Sequence, residues 1–303
     1  MRHIAVSLCI ALLLLAAAPG DAFACACGCN VFSVGAPWMM PISSGLGVYL
    51  HYNYMDQGKN WGNWQVAPAE SNEDREIRTS FYTLSLQDMV SRDWGFMAET
   101  PVWDRYFRTV DDDGNNASVD HLALGDMRLT GMYTGLSEDM SIGLQFGLKL
   151  PTGSFHQSLL DRDTQIGSGT TDLLLGGYWM RQEDGWGWYG QVMWQHALGA
   201  REGYLPGDSF DANLGVHYDN LLKTIPIVPM LQIVGSFRAI DSGVNADPPN
   251  TGYQRLYIAP GFELVTASHV NIFADVRIPL MTHVRGYQLV APALYSLTVG
   301  VTV

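Results

Sequence analysis

Charged residues are scarce in this 303-residue chain, at 16% against about 25% in an ordinary soluble domain. Basic residues are the scarcest: 17 Lys and Arg stand against 30 Asp and Glu, and the net charge is -13. That balance argues against nucleic-acid binding, which needs a basic surface. With 4 cysteines the chain is too cysteine-poor for a disulfide scaffold. No apolar run reaches the roughly 18 residues of a membrane-spanning helix.

Aromatic and glycine residues are plentiful instead. Aromatics make up 11% of the chain, which also holds 32 glycines and only 14 prolines. A disordered chain would have few aromatics, so disorder is excluded. The composition favours a protein built from many short strands.

The N-terminus has the pattern of an export signal. A short positive stretch, Met1–His3, precedes the uncharged apolar run Ile4–Ala18, and Ala22–Ala24 forms a small-x-small cleavage site. This order is typical of a secretory signal peptide. We therefore predict that residues 1–24 are a signal peptide cleaved after Ala24.

The remaining chain alternates between apolar and polar residues with a period of two, the pattern of half-buried strands. In the last segment Tyr295, Leu297, Val299 and Val301 alternate with Ser296, Thr298, Gly300 and Thr302. The pattern predicts twelve strands, over 46–54, 79–90, 93–106, 121–133, 142–150, 172–180, 187–196, 210–218, 229–238, 253–263, 270–278 and 295–303.

The connections between these strands alternate in length. Long polar connections such as Met55–Glu76 and Pro151–Thr171 take turns with short ones such as Ser91–Arg92, and only Asp219–Val228 departs from the rule. Long loops on one side and short turns on the other are typical of an outer-membrane barrel. A soluble periplasmic sandwich also has alternating strands, but it does not need this alternation of loops. We predict an all-β fold, a 12-stranded antiparallel transmembrane β-barrel over residues 45–303, with both ends on the periplasmic side.

The two faces of the predicted strands differ in chemistry. One face is rich in Leu, Val and Ile, as lipid requires, with candidate aromatic-belt residues Trp94, Trp103, Tyr133, Trp179, Trp188, Trp194 and Tyr295. The other carries charges of both signs and predicts a polar lumen. The predicted lumen-lining residues are Glu99, Asp126, Arg128, Gln145, Lys149, Arg238, Glu263, Asp275 and Arg277.

A succession of glycine-rich motifs occupies the middle of the chain. Gly125–Tyr133 reads GDMRLTGMY, Gly147–Gly153 reads GLKLPTG, and Gly167–Trp179 reads GSGTTDLLLGGYW. Over this stretch the chain resembles the outer-membrane transporter-like family labelled "MetA-pathway of phenol degradation", a distant relative of fatty-acid and aromatic-hydrocarbon channels. The resemblance implies an outer-membrane barrel that passes hydrophobic or aromatic small molecules, without catalytic residues.

Three cysteines lie within five residues at the expected mature N-terminus, Cys25, Cys27 and Cys29. Soft thiolates are ligands for Cu(I) or Zn(II), so a metal site is one interpretation. A disulfide formed in the oxidising periplasm is the second. Lipidation of Cys25 is the third, although Ala22 stands where the lipidation signal usually has leucine. The sequence leaves these three alternatives open.

Enzyme motifs are missing from the sequence. It contains no G-x-S-x-G nucleophile turn and no phosphate-binding loop. A weak hypothesis remains that Ser80, Ser85 and His51 share one end of the lumen and supply nucleophilic chemistry. We expect a protein that is not an enzyme.

The function predicted from these features is passive transport of small molecules, hydrophobic or aromatic ones among them, through an outer-membrane channel. Residues 25–44 carry apolar side chains and are expected to fold back as a periplasmic plug. One alternative is a metal-handling or redox-coupled envelope protein that uses the cysteine triad, and another is a structural barrel. The expected partners are outer-membrane lipid, a small-molecule solute and a periplasmic partner at the N-terminal segment. No cofactor is expected apart from copper or zinc at the cysteines.

Overall fold

The fold, obtained as a computed structural model, is a closed antiparallel β-barrel. The structure describes residues 29–35, 40–41, 45–110, 114–219, 226–266 and 270–302. The predicted signal peptide, Cys25 and Cys27 lie outside these residues. Among the described residues, no helix is long and apolar enough to cross a membrane.

In the described part of the chain, fifteen strand segments build a barrel of twelve strands. They are β1 (Gly45–Gln57), β2 (Lys59–Asn63), β3 (Gln65–Val66), β4 (Asp74–Met89), β5 (Trp94–Val110), β6 (Asn116–Leu124), β7 (Arg128–Tyr133), β8 (Ile142–Lys149), β9 (Asp172–Glu183), β10 (Trp186–Ala197), β11 (Ser209–Tyr218), β12 (Ile227–Arg238), β13 (Tyr253–Val265), β14 (Val270–Val290) and β15 (Leu294–Thr302). β6 and β7 are two parts of one barrel strand, because both pair with β5. The short strands β2 and β3 form a hairpin in the first long loop and add to β14.

Each barrel strand pairs with its neighbours in the chain, and β15 pairs with β1 to close the circle. Closure leaves no open edge around the barrel, which matters because every backbone N–H and C=O must be paired inside lipid. The predicted twelve-stranded fold is confirmed. Single strands differ from the prediction: 121–133 is broken between β6 and β7, while β4, β5 and β14 reach beyond the lipid-facing pattern that revealed them.

The outer wall is apolar. Large hydrophobic side chains that would be buried in a soluble protein point outward and are exposed, among them Leu84, Phe96, Leu144, Phe146, Leu175, Leu231, Ile233, Leu297 and Val299. Aromatic pairs border this band. Trp94 lies on Tyr133 near the short turns, at 4.8 Å between ring centroids, and Tyr52 lies on Tyr82 nearer the long loops, at 5.3 Å. An apolar band between two aromatic girdles is the lipid-facing surface of an outer-membrane barrel.

The barrel interior is polar and is crossed by a piece of the N-terminal segment. Residues 29–35 form a 3-10 turn, Cys29–Ser33, and continue to Gly35 inside the lumen. The side chains of Val31 and Val34 are buried against Phe81, Leu174 and other inward residues of the wall. We refer to residues 29–35 as the lumenal segment.

Candidate functional site

The candidate site is a chamber of about 220 Å³ in the barrel lumen. The lumenal segment contributes Phe32, Ser33 and Val34 to its lining. Its ceiling is the connection between β8 and β9, residues 150–171, through Arg162 to Ser168. We call this connection the ceiling loop. Two pieces of chain that fold into the barrel therefore contribute to the chamber together with the wall.

One wall of the chamber is apolar and aromatic. Phe32 of the lumenal segment lies 5.6 Å from Phe81 of β4, and Phe81 meets Trp103 of β5 edge to face at 4.8 Å, both between ring centroids. Trp103 was predicted to belong to the lipid-facing belt, and this prediction was wrong. Its side chain points inward because it pairs with Phe81 on the same inner face.

The adjoining part of the wall, from the end of β6 to β9, carries a cluster of charged groups around Lys149. The Lys149 ammonium lies 2.8 Å from the Asp126 carboxylate and 3.0 Å from that of Asp172, and all three side chains are almost completely buried. The Gln195 amide donates to Asp172 at 2.5 Å, and Arg128 donates to Gln195 at 2.9 Å. Both carboxylates therefore share one ammonium as their partner within the wall.

Most of the predicted lumen residues line the chamber, namely Glu99, Asp126, Arg128, Gln145, Lys149, Arg238 and Arg277. Arg238 holds Asp241 at 2.9 Å, near the long loops. Asp275 is buried in the wall beside Arg277, at 3.4 Å, and does not line the chamber. Glu263 is buried elsewhere on the inner face of β13. The chamber therefore gathers residues from both halves of the chain.

Sequence reasoning missed Phe32, Phe81 and Ser168 as chamber residues. Phe81 could have been predicted to face the lumen, because it shares the inner face of β4 with Thr83 and Ser85. Phe32 and Ser168 lie in irregular segments, where no periodicity shows which way a side chain points.

A buried serine–histidine contact adjoins the chamber. His51 Nε2 lies 2.9 Å from the Ser85 hydroxyl, and Nδ1 lies 3.1 Å from the Thr298 hydroxyl. Ser85 is completely buried, and its hydroxyl also contacts Glu99. Nucleophilic catalysis needs an accessible hydroxyl, so this geometry favours a structural polar ladder across the strands. Ser80 faces outward and does not join it.

Metal ligation by the cysteines stays a prediction. Cys25 and Cys27, like the side chain of Cys29, lie outside the described part of the chain. Within the described residues no group of three or more His, Cys, Asp or Glu side chains is arranged to hold a metal ion.

A second cavity of about 630 Å³ lies on the outer side of the ceiling loop. Phe107, Leu159 and Tyr287 contribute to its lining, together with five carboxylates: Glu73, Asp74, Asp161, Asp163 and Asp247. We call this cavity the vestibule. No Lys, Arg or His is among its lining residues in the described chain.

The acidic vestibule predicts cation selectivity. We expect the ion current through the barrel to favour K⁺ over Cl⁻ at neutral pH, because fixed carboxylates raise the local cation concentration. Burial raises the pKa of Asp161 above its ordinary 3.8, and Asp247 and Glu73 add to the rise. As the pH is lowered, these carboxylates should therefore lose their charge, and the channel its cation selectivity, at a higher pH than ordinary carboxylates would. The reversal potential in a KCl gradient measures both effects.

The double variant Asp161→Asn with Asp247→Asn should move the reversal potential toward zero. Asp139→Asn is the matched control, since Asp139 is an exposed carboxylate in the turn between β7 and β8. An unchanged reversal potential in the double variant would contradict the prediction.

No protein-family model matches the chain, and no curated protein matches it. Among solved structures, an outer-membrane channel from Pseudomonas putida F1 aligns with 95% of this chain and 100% of its own, with a TM-score of 0.66 and 11% identity. The chain has the fold of an outer-membrane channel. The β-domain of the Bordetella autotransporter BrkA covers 86% of this channel-fold chain and 100% of its own, with a TM-score of 0.52 and 11% identity. The toluene transporter TbuX from Ralstonia pickettii covers 93% and 95%, with a TM-score of 0.45 and 9% identity.

The fold and the apolar band place this channel-fold protein in the bacterial outer membrane. The short turns then face the periplasm, as do both ends of the barrel. The long loops, with the vestibule between them, face the outside of the cell.

Proposed function

We propose that this protein is a passive channel for small hydrophobic and aromatic molecules. The observation that carries the proposal is the chamber, where an aromatic patch adjoins a polar wall whose carboxylates are already paired with Lys149. An anionic solute would find the Lys149 ammonium already engaged by two carboxylates. A neutral ring can lie against Phe32, Phe81 and Trp103, and such ring contacts contribute about 0.5–1.5 kcal/mol each beyond the burial of area.

The size of the chamber supports a single-ring solute. An apolar protein cavity of about 150 Å³ is known to accept benzene. The chamber, at about 220 Å³, has room for one substituted ring. A polar substituent such as a hydroxyl can turn toward the polar wall while the ring keeps its aromatic contacts.

The lumenal segment is proposed to act as the plug of the channel. The guanidinium of Arg277 donates to the backbone carbonyls of Val31 and Val34, the second at 3.0 Å. Gln232 donates to the carbonyl of Gly35 at 3.0 Å. These bonds hold the backbone to the wall without involving its side chains, and the segment then blocks the periplasmic end of the chamber.

Planar-bilayer recording of the purified, refolded protein tests both parts of the proposal. We expect phenol to reduce the ion current through the barrel at a lower concentration than cyclohexanol, which has the same hydroxyl group without an aromatic face. Equal block by the two alcohols would contradict an aromatic site.

Deletion of residues 25–41 tests the plug in the same recordings. Removing the segment takes its backbone and side chains out of the lumen, so the conductance should rise severalfold. An unchanged conductance in a folded, heat-modifiable barrel would show that the segment does not limit the current.

A further inference from the structure

The chamber and the vestibule lie on opposite sides of the ceiling loop, residues 150–171. Asp163 of this loop belongs to the lining of both cavities. The partition between them is therefore thin at this residue. A solute that moves directly from the vestibule to the chamber must pass this loop.

The two ends of the ceiling loop are fixed to one buried carboxylate. Asp126 accepts hydrogen bonds from the backbone N–H of Gly153 at 3.0 Å and of Ser168 at 3.0 Å. It also accepts one from the Ser168 hydroxyl at 2.8 Å, and it pairs with Lys149. Charge-assisted bonds of this kind are stronger than neutral ones. The root of the loop is therefore the rigid part.

Gly153 and Gly167 let the two arms of the loop cross at this root. A side chain on Gly167 would come within 2.7 Å of the Gly153 Cα, and the Gly167 N–H donates to the Ser154 carbonyl at 2.7 Å. The two glycines thus bring the arms together just inside the end of β8 and send the tip of the loop across the lumen.

The tip of the loop is held by a separate set of contacts that does not involve Asp126. Leu160 is buried among Ile77, Phe107 and Leu289, near the outer ends of the strands. Arg105 donates to the backbone carbonyls of Thr164 and Gln165. Arg162 also ties the tip to the connection between β10 and β11, because its guanidinium donates to the Arg201 carbonyl at 3.3 Å and lies 4.9 Å from the centre of the Tyr204 ring. Carboxylates surround it, because Asp161 at the tip is close enough to Asp247 and Glu73 to feel their charge.

We propose that the ceiling loop is the extracellular gate of the channel, with its root at Asp126 as the fixed hinge and Leu160 with Arg105 as the latch. This inference rests on the proposed transport function. In the closed state Leu160 occupies its apolar site and separates the vestibule from the chamber. In the open state the tip leaves that site and the two cavities join. Loop openings of this kind take place in microseconds to milliseconds.

A reversible crosslink tests the gate in the full chain. The four native cysteines are replaced by serine, and Leu160→Cys is combined with Phe107→Cys to tie the latch to the wall. Phenol uptake by intact cells is measured after oxidation and again after reduction. We expect oxidation to lower uptake about tenfold or more, because the open population is removed, and reduction to restore it.

The control pair is Ser137→Cys with Ser141→Cys, in the periplasmic turn between β7 and β8. Its two hydroxyl oxygens lie 3.3 Å apart, so it accepts a similar crosslink far from the gate. Uptake should not change when this pair is oxidised. If the Leu160→Cys with Phe107→Cys variant does not fold, Leu160→Cys with Leu289→Cys ties the latch to β14 instead.

Each outcome separates the gate from the channel. If the oxidised and the reduced gate variant give equal uptake, above that of cells without the protein, the gate proposal is wrong and the channel proposal stands. A fall in uptake in the control pair as well overturns the gate too. Absence of protein-dependent uptake, even in the unmodified chain, overturns the proposed function itself.

Discussion

Replacing Lys149 by Met is expected to lower the stability of the barrel by about 3–5 kcal/mol, the cost of leaving buried charges without their partner. Lys149 is the only cation within ion-pair distance of both Asp126 and Asp172 among the described residues, at 2.8 and 3.0 Å. Without the ammonium, two nearly buried carboxylates would face each other in the wall. Urea unfolding in detergent micelles, followed by heat-modifiable migration on gels, measures the loss.

Two comparisons separate this effect from a general loss of charge. Arg181→Met removes the partner of Glu183 from an exposed pair at the periplasmic rim, where the expected cost is about 0–1 kcal/mol. Combining Lys149→Met with Asp126→Asn and Asp172→Asn removes all three charges and should recover part of the stability. Similar losses for Lys149→Met and Arg181→Met would contradict the role assigned to the cluster.

The wall of the barrel could be predicted from the sequence because lipid imposes a simple rule on it. Side chains alternate between a lipid face and an inner face, so the period of two revealed strands such as β8 and β15 directly. Where a strand leaves the membrane, the lipid face ends and the pattern weakens. The outer parts of β5 and β14 were therefore missed, as was the hairpin of β2 and β3.

The chamber was predictable only in part. Alternation placed Asp126 inside the predicted strand 121–133, and Lys149 and Asp172 at the ends of theirs, but it could not show that one ammonium holds both carboxylates. Lys149 and Asp172 are cross-strand partners in β8 and β9, and Asp126 reaches Lys149 from the break between β6 and β7, which a continuous alternation over 121–133 does not predict. Trp103 shows the opposite error, because an aromatic near a strand end suits a belt and a chamber equally well.

Replacing Gly35 by Val is expected to release the lumenal segment and raise the conductance. Gly35 has φ +98, a backbone conformation that valine adopts only with strain. Its new Cβ would also lie 2.9 Å from Gln232 Oε1 and 3.1 Å from Arg277 Nη2, the two side chains that bind the segment. A penalty of about 1–3 kcal/mol shifts the ratio of released to docked segment by about 5- to 150-fold. Single-channel recording measures the open fraction.

Gly114→Val is the matched control, because Gly114 has φ +82 and no atom within 4 Å of the new Cβ. This variant carries a similar backbone strain in an outer loop, so the conductance of the variant protein should equal that of the unmodified chain. Equal conductance of the two variants would mean that the lumenal segment tolerates a side chain at Gly35 and that its docking does not limit the current. Since neither substitution removes a residue of the wall, a rise limited to Gly35→Val assigns the change in current to the segment.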